Sequence, residues 1–181
     1  FVPAIACHQG QLKSYQTSGS SGTPIRAICT SAVHQRFIAA REVRSFGWAG
    51  TSIMRPRAMI GGRMVVPRGI AKPPFYRYNA AEKQVYFSAY HIAPAHVGDY
   101  VDGFNRYRPE VVTGYAFSQF LLAQSMRQSG LSFDFQPDVA ITSSEKLTAG
   151  MTAVIEAVWG CPAYEEYSSV ENCGLATQCE C

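Results

Sequence analysis

Residues 17–24 read TSGSSGTP, a run that puts five hydroxyl side chains and two glycines into seven positions and closes on a proline. Such a run packs no core, so its value lies in exposed amides and hydroxyls. Gly19 and Gly22 let the backbone turn sharply and come close to a ligand. Successive amides can then point into one concavity, a nest suited to phosphate oxygens. The hydroxyls of Thr17, Ser18, Ser20, Ser21 and Thr23 add donors. This is not a Walker loop, because the G-x-x-x-x-G-K-[ST] pattern and its lysine are absent. A Gly/Ser linker or a plain turn is the structural alternative. Two further groups of residues carry chemistry. SAYHIAPAH offers His91 and His96, imidazoles that either shape a pocket or are satisfied by backbone carbonyls. Cys173, Cys179 and Cys181 follow a C-x5-C-x-C spacing. Thiolates suit zinc, yet paired C-x-x-C knuckles and a fourth ligand are missing, so ordinary reduced thiols stand beside the metal site as alternatives.

The chain that must position these groups has 181 residues, 47% apolar and 16% charged, the composition of a soluble globular protein. That length suits one domain or a large piece of one, with a real core. A net charge of +3 with scattered Lys and Arg singles out no nucleic acid partner. No apolar run reaches the ~18–20 residues of a membrane span, and no signal-peptide pattern opens the chain. Six cysteines do not make a secreted disulfide framework at this size and fit reduced thiols in a cytoplasmic protein. The first residue is Phe1 and the last is Cys181, inside what reads as a motif. The whole chain, 1–181, is therefore expected to be one segment of a longer polypeptide.

Residues 30–47 have the period of an amphipathic helix with Val33, Phe37 and Ile38 inward. RAMIGGRMVVP carries strand-like apolar runs around Gly61 and Gly62. KPPFYRYNAAEKQ, 72–84, reads mostly as loop, and VYFSAYHI as a strand. From about residue 97 the rhythm becomes regular. VGDYVDGFNRY is a helix and EVVTGY a strand. A helix spans about 117–129 and ends at Gly130, with Phe117 on its inner face or lining a pocket. PDVAITS is a strand, KLTAGMTAVIEAVWG a helix ending at Gly160, and CPAYEEYSS a strand. Strands alternating with helices predict an α/β fold with a layered, largely parallel sheet and flanking helices. Ligands collect outside the carboxyl ends of such strands, so the loops after VVTGY, AITS and EEYSS are expected to meet at one rim.

TSGSSGTP resembles the phosphate-binding signature of adenylate-forming enzymes, in particular the phenylacetate–CoA ligase-like branch. AITSSEKL, 140–147, resembles the stretch of that branch that borders the adenine. YSSVENCGLATQCEC, 167–181, resembles its aromatic-to-glutamate motif and cysteine-bearing tail, and RPEVVTGYAFSQFLLAQ resembles its intervening segment. The resemblance covers most of the chain from Thr17 onward and implies the central part of an N-terminal adenylation domain, without its C-terminal lid domain.

The resemblance also implies roles. Thr17 to Thr23 would hold the β- and γ-phosphates of ATP. Ser143, Ser144 and Glu145 would edge the nucleotide, although Glu145 can instead cap the following helix. Tyr167 would stack on or border the adenine, the alternative being a buried tyrosine at a sheet end. Glu171 would hold magnesium, a hard cation that takes carboxylate oxygen, the alternative being a solvated surface glutamate. His91 and Tyr115 would border the acyl pocket. One departure stands out: the position before the glutamate, usually Ser or Thr, is Val170, which cannot donate to the α-phosphate. Ser168 or Ser169 would have to replace it. Thr23 stands where a lysine is common, and Arg26 lies nearby as a charge or as a surface residue.

The activity implied is ATP-dependent activation of a small carboxylic acid through an acyl-adenylate, followed by thioester formation with coenzyme A. Transfer to an amine, or a silent nucleotide-binding module, are the alternatives. Homodimers are common in the family.

Overall fold

The computed structural model describes residues 12–17, 22–67 and 72–178. A two-stranded antiparallel hairpin comes first, β1 (Leu12–Gln16) and β2 (Arg26–Thr30), with Leu12 opposite Thr30 and Gln16 opposite Arg26. Helix α1 (Ser31–Arg41) follows directly, its start capped by the Thr30 hydroxyl, which accepts from the Val33 amide at 3.3 Å. The helix continues as a wider π turn over Glu42–Phe46.

The remaining strands are β3 (Arg57–Gly61), β4 (Tyr76–Asn79), β5 (Gln84–Ser88), β6 (Val111–Tyr115), β7 (Val139–Ser143), β8 (Ala163–Ser168) and β9 (Leu175–Thr177). They form one seven-stranded sheet in the order β4-β5-β3-β6-β7-β8-β9. Its five inner strands, from β5 to β8, run parallel, and the antiparallel edges are β4 on β5 and β9 on β8. Helices α2 (Val97–Tyr107), α3 (Ala116–Ser129) and α4 (Ala149–Trp159) make the crossovers β5→β6, β6→β7 and β7→β8. All three crossovers advance across the sheet in one direction. Right-handed connections therefore put all three helices on the same face.

That face holds the main core. Ala58, Ile60, Val85, Phe87, Val112 and Ala140 from the strands meet Tyr100, Phe104, Leu122, Met126, Ile155 and Trp159 from the helices, and all are buried. The opposite face has a smaller cluster, Phe46, Val111, Val139 and Ile141, with Ala49 and Ile53 packed against it. At the carboxyl end of β6 the chain crowds β3. Gly114 has φ +133°, and a Cβ there would meet the Ile60 carbonyl oxygen at 1.9 Å, so only glycine fits.

The layered α/β fold is the one the sequence predicts, and the regular half from residue 97 follows its rhythm closely. Residues 72–84 are mostly loop and turn, as expected, although β4 occupies 76–79, β5 begins at Gln84 and Phe75 is fully buried. Three local expectations are corrected. VYFSAYHI is strand only to Ser88, where the Ser88 hydroxyl accepts from the Tyr90 amide and starts a single 3₁₀ turn over Ala89–His91. α1 is not amphipathic in its packing, since no α1 residue is buried and Val33 is 41% exposed. Phe117 lies at the exposed start of α3, 49% accessible, rather than in the core. Among the described residues no helix is long and apolar enough to cross a membrane.

Candidate functional site

The Gly/Ser run is the loop of the β1–β2 hairpin. Its mouth is closed twice: the Thr17 amide donates to the Ile25 carbonyl at 3.0 Å, and the Ile25 amide donates to Thr17 Oγ1 at 2.9 Å. The Thr17 hydroxyl oxygen thus shapes the loop, leaving its proton available. Ser18, Gly19, Ser20 and Ser21 lie outside the described residues; Gly22 and Thr23 are exposed. Arg26 turns back onto the hairpin, its Nε donating to Ser14 Oγ at 2.7 Å. The hairpin is tied to α1 by the Tyr15 hydroxyl, 3.0 Å from His34 Nδ1. Burial, helped by the Cys29 thiol, pushes the Tyr15 hydroxyl above its ordinary value. Burial, helped by Lys13, holds His34 below its own.

The parallel strands β6, β7 and β8 deliver the next residues to one rim, with Tyr115 opposite Ser143 and Thr142 opposite Glu165. A concavity of about 320 Å³ opens there, lined by Ser144, Glu145, Lys146 and Glu165 to Ser168. Its floor is a pinned strap. Ser144 takes a left-handed φ of 69°, a backbone turn that swings Glu145 across to α3. There Glu145 Oε2 accepts from the Phe117 amide at 2.9 Å, satisfying one of the orphan donors of the α3 N-terminus. Glu145 therefore caps the helix before it; the helix after it, α4, is capped by the Thr148 hydroxyl. Lys146 Nζ meets Glu165 Oε2 at 2.6 Å, and the Leu147 amide donates to Glu165 Oε1 at 3.1 Å. Burial raises the Glu165 carboxyl, but the Lys146 ammonium and the Leu147 amide outweigh it and hold the group below its usual value. Tyr167 is 70% exposed on this rim, a free ring face and not a buried sheet-end tyrosine.

β9 folds back on β8 with Ser168 opposite Leu175, which makes residues 169–174 a hairpin loop. The Asn172 amide closes its turn onto the Ser169 carbonyl at 3.0 Å, with Asn172 at a left-handed φ of 56°. Val170 and Glu171 sit exposed at the tip. The Asn172 side-chain amide reaches Cys29 Sγ at 3.9 Å, so the Glu171 turn lies against β2, the strand that leaves the Gly/Ser loop. One exposed carboxylate of this kind fits a magnesium ion, which is bound through one or two carboxylates with phosphates and water completing its shell. Cys173 is exposed, with its thiol 3.5 Å from the Glu171 carbonyl. Cys179 and Cys181 lie outside the described residues. Among the described residues no three His, Cys, Asp or Glu side chains gather as a metal cluster.

Farther along the rim come Tyr115, which ends β6, and, past β3, His91. His91 follows β5, stacked on Phe75 at 4.7 Å and 12°. Tyr115 shares its place with a residue the sequence argument passed over. A Cβ on Gly62 would meet the Tyr115 hydroxyl at 2.7 Å and the Tyr90 hydroxyl at 3.0 Å, so two phenols converge on a glycine at the end of β3. The second glycine of IGG was the signal. Ser88, bonded to His91 at 2.7 Å, was missed as well, because a lone serine in an apolar strand gives none.

No protein-family model matches the chain. Over 122 residues it is 30% identical to protein CapK of Staphylococcus aureus, a match covering 67% of this chain and 27% of that one. Among solved structures it resembles an open conformation of 2-hydroxyisobutyryl-CoA ligase in complex with 2-HIB-AMP and CoA, at a TM-score of 0.56 and 19% identity. That match covers 87% of this chain and 36% of the ligase. It also resembles an acyl-CoA synthetase of Brucella canis (TM-score 0.61, 14% identity, 92% of this chain and 29% of that one). A third is the anthranilate CoA ligase AuaEII in complex with anthranoyl-AMP (TM-score 0.59, 11% identity, 92% and 31%). The fold is that of a part of the acyl-CoA ligases. The chain spans between about a quarter and about a third of the length of these relatives.

Proposed function

We propose that this chain is the nucleotide-binding segment of an ATP-dependent carboxylate-activating enzyme of the adenylate-forming superfamily, phenylacetate–CoA ligase-like in its motifs. A carboxylate is a poor electrophile. Its oxygen attacks the α-phosphorus of ATP, the bond to the bridging oxygen breaks, and pyrophosphate leaves with an acyl-adenylate formed. The thiol of coenzyme A then attacks the acyl carbon and AMP departs. The first step asks for positioning and charge stabilisation more than for covalent chemistry.

The observation that carries this proposal is the contact of the Glu171 turn with β2, made within a fold shared with solved acyl-CoA ligases. That contact, at Cys29 near the end of β2 away from the Gly/Ser loop, sets the carboxylate-bearing turn against the hairpin that carries the loop, in keeping with a magnesium-bound triphosphate. The loop amides, with Thr17 and Thr23, would hold the β- and γ-phosphates. Tyr167 and the Ser143–Glu145 strap would border the base, and Ser168 or Ser169 would supply the hydroxyl that Val170 lacks. Glu171 would hold magnesium, which when bound neutralises phosphate charge. His91 and Tyr115 would border the acid.

Carboxylate-dependent ATP–pyrophosphate exchange in the intact protein, with a panel of aryl and aliphatic acids, tests this. Stimulation by one acid is expected. Glu171→Gln is expected to lower exchange about 100-fold, ~2.7 kcal/mol of transition-state stabilisation, while leaving the unfolding midpoint in place. No exchange with any acid, beside tight Mg–ATP binding, would make it a nucleotide-binding module without chemistry.

A further inference from the structure

We propose that Ser88 is a positioning residue that fixes the His91 imidazole as a hydrogen-bond donor through Nε2, presenting an N–H at the strand-end rim to an oxygen of the acid. The recipient rests on the adenylating function above; the control of the ring by Ser88 does not. Ser88 ends β5 and is 2% exposed. Its backbone is held from both sides: its amide donates to the Phe75 carbonyl at 3.0 Å, and its carbonyl accepts from the Tyr100 hydroxyl at 2.6 Å. Its Oγ accepts from the Tyr90 amide at 3.3 Å and lies 2.7 Å from His91 Nδ1.

The direction of that last bond follows from proton accounting. The Ser88 hydroxyl carries one proton, and among the described residues its acceptor is His91 Nδ1. With the roles reversed, a hydroxyl proton buried beneath the rim would have no partner, the costly side of the hydrogen-bond asymmetry. Nδ1 is therefore bare and Nε2 carries the hydrogen. Nε2 takes no partner among the described residues and lies on the ring edge away from Ser88. The ring plane is set by the fully buried Phe75, and the turn that carries it is braced by His96, whose Nδ1 lies 2.9 Å from the His91 carbonyl. A carbonyl only accepts, so His96 takes the opposite tautomer, with its hydrogen on Nδ1. β5 adjoins β3, so the His91 donor stands in the same row as the Tyr90 and Tyr115 phenols over Gly62, at the strand ends where ligands collect in such sheets.

The test is nitrogen NMR on intact protein labelled with ¹⁵N-histidine, at about pH 8 where an ordinary imidazole is neutral, with His91 assigned by His91→Gln. The wild type is expected to show the hydrogen on Nε2 of His91. Ser88→Ala is expected to mix the tautomers and raise KM for the acid about tenfold, with kcat and KM for ATP within about twofold. Ser88→Thr, which keeps the hydroxyl, is expected to restore the wild-type tautomer. A wild-type spectrum with the hydrogen on Nδ1 overturns the proposal whatever the activity. An unchanged tautomer and KM in Ser88→Ala does the same. If no acid is adenylated while the Nε2–H tautomer and its loss in Ser88→Ala are seen, the function fails and the acid as recipient falls with it. Ser88 control of the ring then stands.

Discussion

The two faces of the seven-stranded sheet are held in opposite ways. On the helix face, α2, α3 and α4 bury a continuous apolar layer in which Phe104 stacks on Phe87 at 4.5 Å and on Phe133 at 4.4 Å. On the other face, α1 buries none of its side chains and the hairpin forms a separate two-stranded sheet. This second region is tethered at discrete points. Arg41 Nε lies 3.0 Å from both carboxylate oxygens of Glu166, whose side chain is 1% exposed, Phe46 enters the small core, and Asn172 reaches Cys29. A loop that holds phosphate, as proposed above, would gain from this arrangement. The sheet fixes where the rim stands, and a few polar tethers decide where α1 and the hairpin sit against it.

The difference predicts unequal responses to truncation. Phe104→Ala removes a fully buried ring at the centre of the stack and is expected to destabilise by ~3–5 kcal/mol. Val33→Ala on α1 is expected to stay within about 0.5 kcal/mol. Urea unfolding of both variants checks the contrast. A large loss at Val33 would mean that α1 is buried in the intact protein by something outside these residues.

Arg41→Met sharpens the comparison from the other side. It leaves the Glu166 carboxylate buried without its partner, and the expected loss is about 3 kcal/mol. The same variant is expected to raise KM for ATP, because the tether it cuts holds the hairpin that carries the loop. Stability loss without any change in nucleotide affinity would separate the tether from the loop and weaken the proposed coupling between them.

Legibility from sequence divides along the same line. From residue 97 onward each strand alternates with a helix whose ends are marked by Gly130 and Gly160, so periodicity and punctuation agree and the parallel sheet follows. α1 has apolar residues at helical spacing, yet a helix buries only what its neighbours cover, and periodicity does not report neighbours. The β4 strand hid among Pro, aromatic and charged residues because an edge strand needs little apolar surface. Glu145 illustrates the limit at the site itself. Its proximity to α4 in sequence suggested a cap there, while the left-handed turn at Ser144 sends it to α3. Motif order located the rim residues; only the fold could say that Tyr90 and Gly62 share it.

The smallest effect expected is electrostatic and lies in the strap between the two regions. Glu165 holds Lys146 and the Leu147 amide, and its carboxyl sits below its ordinary value of 4.5. A depressed carboxyl contributes stability that is complete above the unfolded value and is lost as pH falls through the lower folded one. Wild type is therefore expected to exceed Glu165→Gln in stability near neutral pH, with the gap closing once the medium is more acidic than the folded carboxyl. Because Lys146 is 77% exposed, the gap is expected to be under about 1 kcal/mol and to shrink further in high salt. Urea midpoints of both proteins across that pH range measure it. A gap that persisted in acid would show that Glu165 acts through packing or its neutral hydrogen bond to Leu147. The strap bordering the proposed base site would then be fixed by shape and not by charge.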